Sequence, residues 1–162
     1  MELLTMIAVL IAFYVIAKRA RRKRPGDTIT GNAKVTDADG LKVAGYTVRL
    51  AGLDAPEWNQ PAKHRWGFWF NHGKRVKRAL KREVGGRRVQ VKVEGFDRYG
   101  RVLGTVSCRG HDVGEWLVRS GHAIACFDSR YKDAEREAKS ERRGMWGYDQ
   151  ALDPREWRRK HK

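Results

Sequence analysis

Two short segments carry charged side chains whose types and spacing suit the binding of a cation and a phosphate. The first runs from Val48 to Glu57 and reads VRLAGLDAPE, so an arginine, an aspartate and a glutamate follow one another where an alternating strand pattern ends. Carboxylate oxygens are ligands for hard cations, and the planar guanidinium of arginine can pair with two phosphate oxygens at once. The pattern therefore predicts a cation and phosphate site, with an ordinary solvated strand end as the alternative.

A second motif, DRYGR from Asp97 to Arg101, begins 40 positions after Glu57. The chain also contains GRVLGTV around Arg101, DVGEWLVRSGHA at 112–123 and RRGMW ending at Trp146. In order and spacing these motifs resemble the staphylococcal-nuclease-like (thermonuclease) family. The resemblance covers about residues 35–146, and the PREWR tail at 154–158 is left open as a further match.

The distribution of apolar residues predicts a small α+β domain. Alternation predicts strands at 28–35, 42–49 with an interruption at Gly45, 87–94 and 101–108. Helical spacing predicts a helix from Gly73 to the glycines at 85 and 86, a short helix opened by a capping box of Asp112 and Glu115, and a charged helix at 131–143. These elements suit a small closed barrel, and the resemblance implies a five-stranded OB-fold β-barrel packed by about three helices.

The N-terminal segment resembles a membrane anchor. Residues 3–17 are apolar apart from Thr5 and Tyr14, and six basic residues follow up to Arg24. The run is just short of the roughly 17 to 25 residues of a spanning helix, and its positive charge lies on the wrong side for a cleaved signal. We therefore predict a transmembrane anchor at 1–17 with the folded domain in the cytoplasm, and keep an export signal or a soluble helix as alternatives.

The predicted domains are the anchor at 1–17, a basic juxtamembrane linker at 18–27, a nuclease-like OB-fold domain at 28–148 and a basic C-terminal tail at 149–162. The chain has a net charge of +16, and positions 25–162 still hold 29 basic and 18 acidic residues. Such a charge predicts a polyanionic partner, either nucleic acid or an anionic lipid surface. Cys108 and Cys126 match no zinc spacing and are interpreted as buried hydrophobic residues, with a disulfide left open.

The resemblance implies a metal site for one calcium ion. Its ligands would be the carboxylates of Asp39 and Asp54 and the backbone carbonyl of Ala55. The family usually has DGDT where this chain has DADG at 37–40, so Asp37 is an alternative to Asp39 as the first ligand.

The resemblance also assigns three catalytic side chains. Glu57 matches the carboxylate that orients or deprotonates the attacking water. Arg49 and Arg101 match the two arginines that hold the phosphate and stabilise its developing charge.

Substrate contacts are implied for Arg98, Tyr99 and Phe127. Phe127 and Ser129 fall near the positions of two tyrosines that flank the base in the family's prototype. Phe127 could still stack on a base, and Tyr131 is a candidate to replace a lost hydroxyl contact.

Two further sets of side chains have no assigned chemistry. The histidines at 64, 72, 111 and 122 have no metal-type neighbours in the sequence and are predicted to be surface or packing residues. For a dense set of aromatic residues we favour core or membrane-interface packing over stacking on nucleic acid. Its members are Trp58, Trp66, Phe68 and Trp69.

Taken together, the resemblance implies a calcium-dependent, sugar-nonspecific nuclease that would hydrolyse DNA and RNA by in-line attack of water and leave 3′-phosphate ends. The N-terminal segment predicts that it is tethered to a membrane, and we predict a monomer. One alternative is a catalytically inactive OB-fold module that binds nucleic acid or protein at the membrane, and another is a lipid-surface module. The sequence contains no P-loop and no serine or cysteine nucleophile with its own base.

Overall fold

The structure is a computed structural model that describes residues 6–11, 23–126 and 130–161. Residues 6–11 are helical, and the rest of the predicted anchor at 1–17 lies outside the described residues. Within the described ranges, no helix has both the length and the apolar character that crossing a bilayer requires.

The folded part of the chain is a small α+β domain. Its strands are β1 (Thr28–Val35), β2 (Gly40–Val43), β3 (Tyr46–Leu50), β4 (Leu53–Asp54), β5 (Pro61–Lys63), β6 (Trp69–Asn71), β7 (Arg88–Phe96), β8 (Val102–Cys108), β9 (His111–Asp112), β10 (Ile124–Ala125) and β11 (Gln150–Ala151). Its helices, numbered from the barrel onward, are α1 (His72–Val84), α2 (Val113–Arg119), α3 (Lys132–Ser140) and α4 (Pro154–Lys160), with a 3-10 turn at Gly144–Gly147.

Five strands form a closed barrel in the order β3, β2, β1, β7 and β8. The barrel closes because β3 pairs in parallel with β8, which places Val48 opposite Val102 and Leu50 opposite Gly104. On its other side β8 pairs with β7, and a Cβ atom at Gly104 would lie 2.6 Å from the carbonyl oxygen of Lys92, so β7 and β8 can approach this closely only because the residue is glycine. The predicted five-stranded OB-fold barrel is confirmed.

The strand predicted at 42–49 is in fact the two arms of a hairpin. Ala44 and Gly45 both have positive φ angles, 48° and 84°, and Val43 pairs with Tyr46 across them. Two consecutive residues with positive φ form the tight turn whose twist matches that of a hairpin. The alternating pattern alone did not reveal the reversal, because the apolar residues on both sides of the turn point into the same core.

Packing against the barrel confirms the predicted helices. The apolar stripe of α1, made by Val76, Leu80 and Val84, is fully buried, and the helix ends before Gly85 as predicted. In α2 the side chain of Asp112 accepts hydrogen bonds from the backbone N–H groups of Gly114 and Glu115, as the capping prediction requires. The carboxylate of Glu115, however, bonds Arg119 instead of completing the reciprocal half of the box.

Two smaller predictions have opposite outcomes. Cys108 and Cys126 are both buried and form no disulfide, in agreement with the interpretation as buried hydrophobic residues. The aromatic residues at 58, 66, 68 and 69 are between 50% and 73% exposed, so the core-packing half of the prediction is wrong for them and the membrane-interface half stays a prediction. Trp69 lies in β6, an outer strand of a three-stranded sheet separate from the barrel sheet, and Trp66 and Phe68 lie in the turn that joins β5 to β6.

His72 is a buried packing residue at the start of α1. It is 2% exposed, and its ring lies against Phe70 and Tyr148. Burial lowers its pKa to about 4, with smaller contributions from the nearby His122 and Arg75. The folded protein therefore holds this imidazole in its neutral form well below pH 6.5.

We predict that the stability of the protein falls as the pH falls from about 6.5 to 4. In this window the unfolded chain binds a proton at His72 that the folded chain excludes, because the pKa is about 4 in the folded state and 6.5 in the unfolded state. Between pH 7.5 and 5.0 the wild type should lose about 2 kcal/mol more unfolding free energy than His72→Gln, as measured by urea denaturation. Equal losses in the two proteins would contradict the buried neutral imidazole.

Candidate active site

A cavity of about 780 Å³ opens at the end of the barrel where β3 and β8 meet. Residues from three parts of the chain line it, among them Arg49, Glu57, Arg98, Tyr99, Arg101 and Arg158. The two sequence motifs converge here because the parallel pairing sets Arg49 beside Leu103, two residues beyond Arg101. Both predicted phosphate-binding arginines therefore face one cavity.

Two of the predicted acidic residues contact the same atom of Arg49. Its Nη2 lies 2.7 Å from Oδ2 of Asp39 and 3.4 Å from Oδ1 of Asp54. Asp54 is held in place by β4, where it pairs with Ile124 of β10, and it is 1% exposed. Asp39 is anchored through its carbonyl oxygen, which accepts a hydrogen bond of 3.0 Å from the N–H of Leu50. The carboxylates lie close together although 15 residues separate them in sequence.

The structure distinguishes Asp39 from its alternative, Asp37. The carboxylate of Asp37 accepts a hydrogen bond of 2.9 Å from the backbone N–H of Ala38 and so stabilises its own turn. The pKa of Asp39 is raised to about 6, chiefly by burial, which Arg49 opposes and to which the neighbouring Asp37 and Asp54 add. A buried carboxylate of this kind gains from any additional positive charge brought close to it.

Glu57 follows these acids on a tightly held turn. Its side chain is 39% exposed at the cavity, and its backbone N–H donates to Oε1 of Gln60 over 3.1 Å. On the other side α1 approaches so closely that a Cβ atom at Gly73 would lie 1.8 Å from the carbonyl oxygen of Glu57. The backbone that carries this carboxylate is thus fixed from two directions.

Gln60 ties the same turn to the C-terminal segment. It is 2% exposed, and its Nε2 donates to the carbonyl oxygen of Leu152 over 2.7 Å. Beside this contact β11 pairs with β5, so Ala151 lies opposite Ala62. The segment predicted as a basic tail at 149–162 is therefore folded against the turn that carries Glu57, although the boundary at 148 itself stays a prediction.

The C-terminal helix places Arg158 among the acids, a contact that the sequence analysis missed. Nη1 of Arg158 lies 3.1 Å from Oδ1 of Asp54 and 2.9 Å from Oε1 of Glu57, and Nη2 bonds the other oxygen of Asp54. These hydrogen bonds, the one to Asp54 above all, raise the pKa of Arg158 above its usual range. The only signal in the sequence was the PREWR segment at 154–158, to which no role was assigned.

Arg101 is oriented by a second carboxylate that was not predicted. Its Nε donates to Oδ2 of Asp97 over 2.6 Å, and its backbone N–H donates to Oδ1 over 3.0 Å. Burial alone would raise the pKa of Asp97, but the hydrogen bonds from Arg101 and Tyr99 outweigh it and lower the pKa. Asp97 thereby acts as a positioning residue for the guanidinium group.

The predicted substrate-contact residues differ in where they lie. Tyr99 is 69% exposed at the turn between β7 and β8, and the guanidinium of Arg98 lies 4.8 Å from its ring centre. Phe127 and Ser129 lie outside the described residues. Tyr131 is buried and its hydroxyl donates to Asp112 over 3.0 Å, so it does not replace a substrate contact as had been suggested.

The predicted metal ligands have oxygen atoms of the types that calcium prefers. They would be the carboxylates of Asp39 and Asp54 and the backbone carbonyl of Ala55. Across the described residues, however, no three histidine, cysteine, aspartate or glutamate side chains are arranged to hold a metal ion. Guanidinium nitrogens of Arg49 and Arg158 instead pair with these carboxylates, so a cation bound to Asp54 would have to displace Arg158.

Comparison with known proteins identifies the family. A family model described as staphylococcal nuclease homologue matches residues 47–148, more than half of the chain. A probable staphylococcal-like nuclease, CAN1, of Oryza sativa subsp. japonica is 36% identical over 135 residues, which cover 80% of this chain and 38% of the relative. A probable endonuclease, LCL3, of Komagataella phaffii is 33% identical over 136 residues, with 75% and 58% covered.

The name of a third relative does not mention a nuclease. The succinoglycan biosynthesis protein ExoI of Rhizobium meliloti is 36% identical over 125 residues, which cover 74% of this chain and 65% of the relative. The chain thus spans less than two thirds of the length of each of these three proteins. The region matched by the family model contains most of β3, the turn that carries Asp54 and Glu57, and the DRYGR motif. The chain therefore belongs to the family of staphylococcal nuclease homologues.

Proposed function

We propose that this protein is a calcium-dependent, sugar-nonspecific nuclease that hydrolyses phosphodiester bonds of DNA and RNA. Water attacks in line, and the products carry 3′-phosphate ends. The observation that carries the proposal is the convergence of three carboxylates and two arginines, 49 and 101, at one end of the barrel. The family and the names of two relatives, a nuclease and an endonuclease, support it.

Glu57 is the group in this site that accepts the proton of the attacking water. Its carboxylate is partly exposed at the cavity, where a water molecule can reach it, and its backbone is held by Gln60. A positioned base of this kind contributes about 10² to 10⁴ in rate. The rigid turn keeps the carboxylate aimed at the cavity while the substrate enters and leaves.

Arg49 and Arg101 bind the phosphate and stabilise the charge that develops on its oxygens. Asp97 orients Arg101, and Asp39 orients Arg49, so both donors are held in place before the substrate arrives. When bound, a calcium ion held by Asp39, Asp54 and the Ala55 carbonyl would supply further positive charge beside the phosphate.

The first test is hydrolysis of plasmid DNA by the full chain, with calcium and then with EDTA. The wild type should cleave only with calcium, and Glu57→Gln should cleave at least about 100-fold more slowly while it binds DNA almost as well as the wild type. Cleavage that persists in EDTA would reject the metal mechanism, and equal losses of binding and cleavage would reject Glu57 as the base. Binding without any cleavage by the wild type would favour the alternative of an inactive binding module.

The second test concerns Arg158, which competes with the cation for Asp54. Charge-assisted hydrogen bonds are worth about 1.5–3 kcal/mol, so Arg158→Gln should tighten calcium binding by about tenfold to a hundredfold. Isothermal titration and the calcium-induced rise in melting temperature measure this without any need for catalysis. Arg159→Gln is the matched control, since it removes the same charge from an exposed position on the same helix. Unchanged or weaker calcium binding in Arg158→Gln would show that no competition occurs.

The anchor and the cellular location are part of the proposal. The apolar run at 3–17 and the basic residues after it support a single-pass tether with the nuclease domain on the cytoplasmic side. A reporter that is active only in the cytoplasm, fused to the C-terminus, should be active in cells. An inactive fusion of full length would instead support export of the domain.

A further inference from the structure

A second groove, of about 480 Å³, lies between the hairpin of β5 and β6 and helix α1. One wall is aromatic and the other is cationic, and we call this feature the basic groove. Its wall residues are Trp58, Phe68, Phe70, Lys74, Arg75, Lys77, Arg78 and Lys81. Because Trp58 directly follows Glu57, the groove begins where the candidate active site ends.

The aromatic wall presents large apolar side chains to solvent. Trp58 is 55% exposed and Phe68 is 50% exposed, although each would normally be covered in a small soluble domain. Nζ of Lys74 lies 4.4 Å from the ring centre of Trp58, and the guanidinium of Arg75 lies 5.4 Å from that of Phe70. Flat apolar surfaces thus lie beside positive charges.

The cationic wall comes from one face of α1. Lys74, Lys77, Arg78 and Lys81 recur at helical spacing, and the first turn of the helix contains no acidic residue. Within the described part of the chain, none of these four side chains forms an ion pair. Neighbouring like charges repel one another, so a polyanion in the groove relieves a repulsion that the free protein retains.

We propose that the basic groove binds an unpaired strand of nucleic acid that continues from the phosphate in the active site. Bases stack on Trp58 and Phe68, and the backbone phosphates lie over α1. Only unpaired bases expose their flat faces, whereas a duplex covers them, so the aromatic wall selects single strands. A concave groove with charges facing the rings suits a strand better than it suits the flat surface of a bilayer. The inference rests on the proposed nuclease function and adds a second binding site for the strand, outside the cavity that holds the phosphate.

The binding test uses the full chain with Glu57→Gln, so that the probe is not cleaved. The probe is a fluorescein-labelled 20-nucleotide single strand, compared with its duplex by fluorescence anisotropy. Adding Lys77→Gln and Lys81→Gln should weaken single-strand binding about tenfold and reduce its salt dependence, and Trp58→Ala should weaken it to a similar extent. The matched control is Lys34→Gln with Lys42→Gln, an exposed lysine pair on the outside of β1 and β2, which should bind as the parent does.

A hydrolysis arm separates this inference from the proposed function. With Glu57 intact, the double lysine variant should raise the KM for the long single strand about tenfold and leave the hydrolysis of a dinucleotide unchanged. If the intact chain cleaves neither substrate, the nuclease proposal fails while the binding result still decides the groove. If cleavage proceeds and the groove variants bind single strands like the control pair, the groove proposal is overturned.

Two other results would also overturn it. One is equal weakening of single-strand and duplex binding in both Trp58→Ala and the lysine variant, which would show that the groove does not select unpaired strands. The other is loss of binding to vesicles of phosphatidylcholine and phosphatidylserine with unchanged oligonucleotide binding, which would assign the groove to lipid. Circular dichroism of each variant should show that the fold is kept. We expect this for the lysine variant because Lys77 is partly exposed and Lys81 is exposed on the surface of α1.

Discussion

The parallel pairing of β3 with β8 is the constraint on which the rest of this structure depends. It closes the barrel, and its register places Arg49 beside Leu103, so the two charged motifs meet at one end of the molecule. The same seam is extended beyond β3, where the carbonyl of Gly104 accepts a hydrogen bond of 3.1 Å from the N–H of Ala51. The pairing that closes the barrel is therefore also the pairing that assembles the site, because a barrel opened between β3 and β8 would separate Arg49 from Arg101.

Around that seam the electrostatic balance couples the site to the C-terminus. Asp39 and Asp54 are buried, and a buried carboxylate is costly unless a positive charge accompanies it. In the described residues Arg49 and Arg158 provide that charge, and Arg158 arrives on a helix docked through β11 and Gln60. The C-terminal helix therefore supplies a charge that a buried carboxylate of the candidate site requires, and under the proposed function a cation would compete with Arg158 for Asp54.

The turn from Glu57 to Gln60 connects the cavity with the basic groove. Gly73 allows α1 to rest directly on this backbone, and Gln60 fixes it from the other side. Glu57 thus faces the cavity while the next residue, Trp58, opens the groove along α1. A single rigid turn sets the relative position of the proposed chemistry and the proposed strand contact.

The sequence by itself determined the local features and, through the resemblance, the barrel. The buried stripe of α1, the Asp112 cap and the acidic turn ending at Glu57 depend on neighbours within a few residues, so periodicity and motifs were sufficient to predict them. Only the tertiary structure decided that His72 is buried, that Asp39 rather than Asp37 meets Arg49, and that Arg158 reaches Asp54 across 104 positions. Each of these depends on which distant surfaces pack together, and spacing along a single chain does not contain that information.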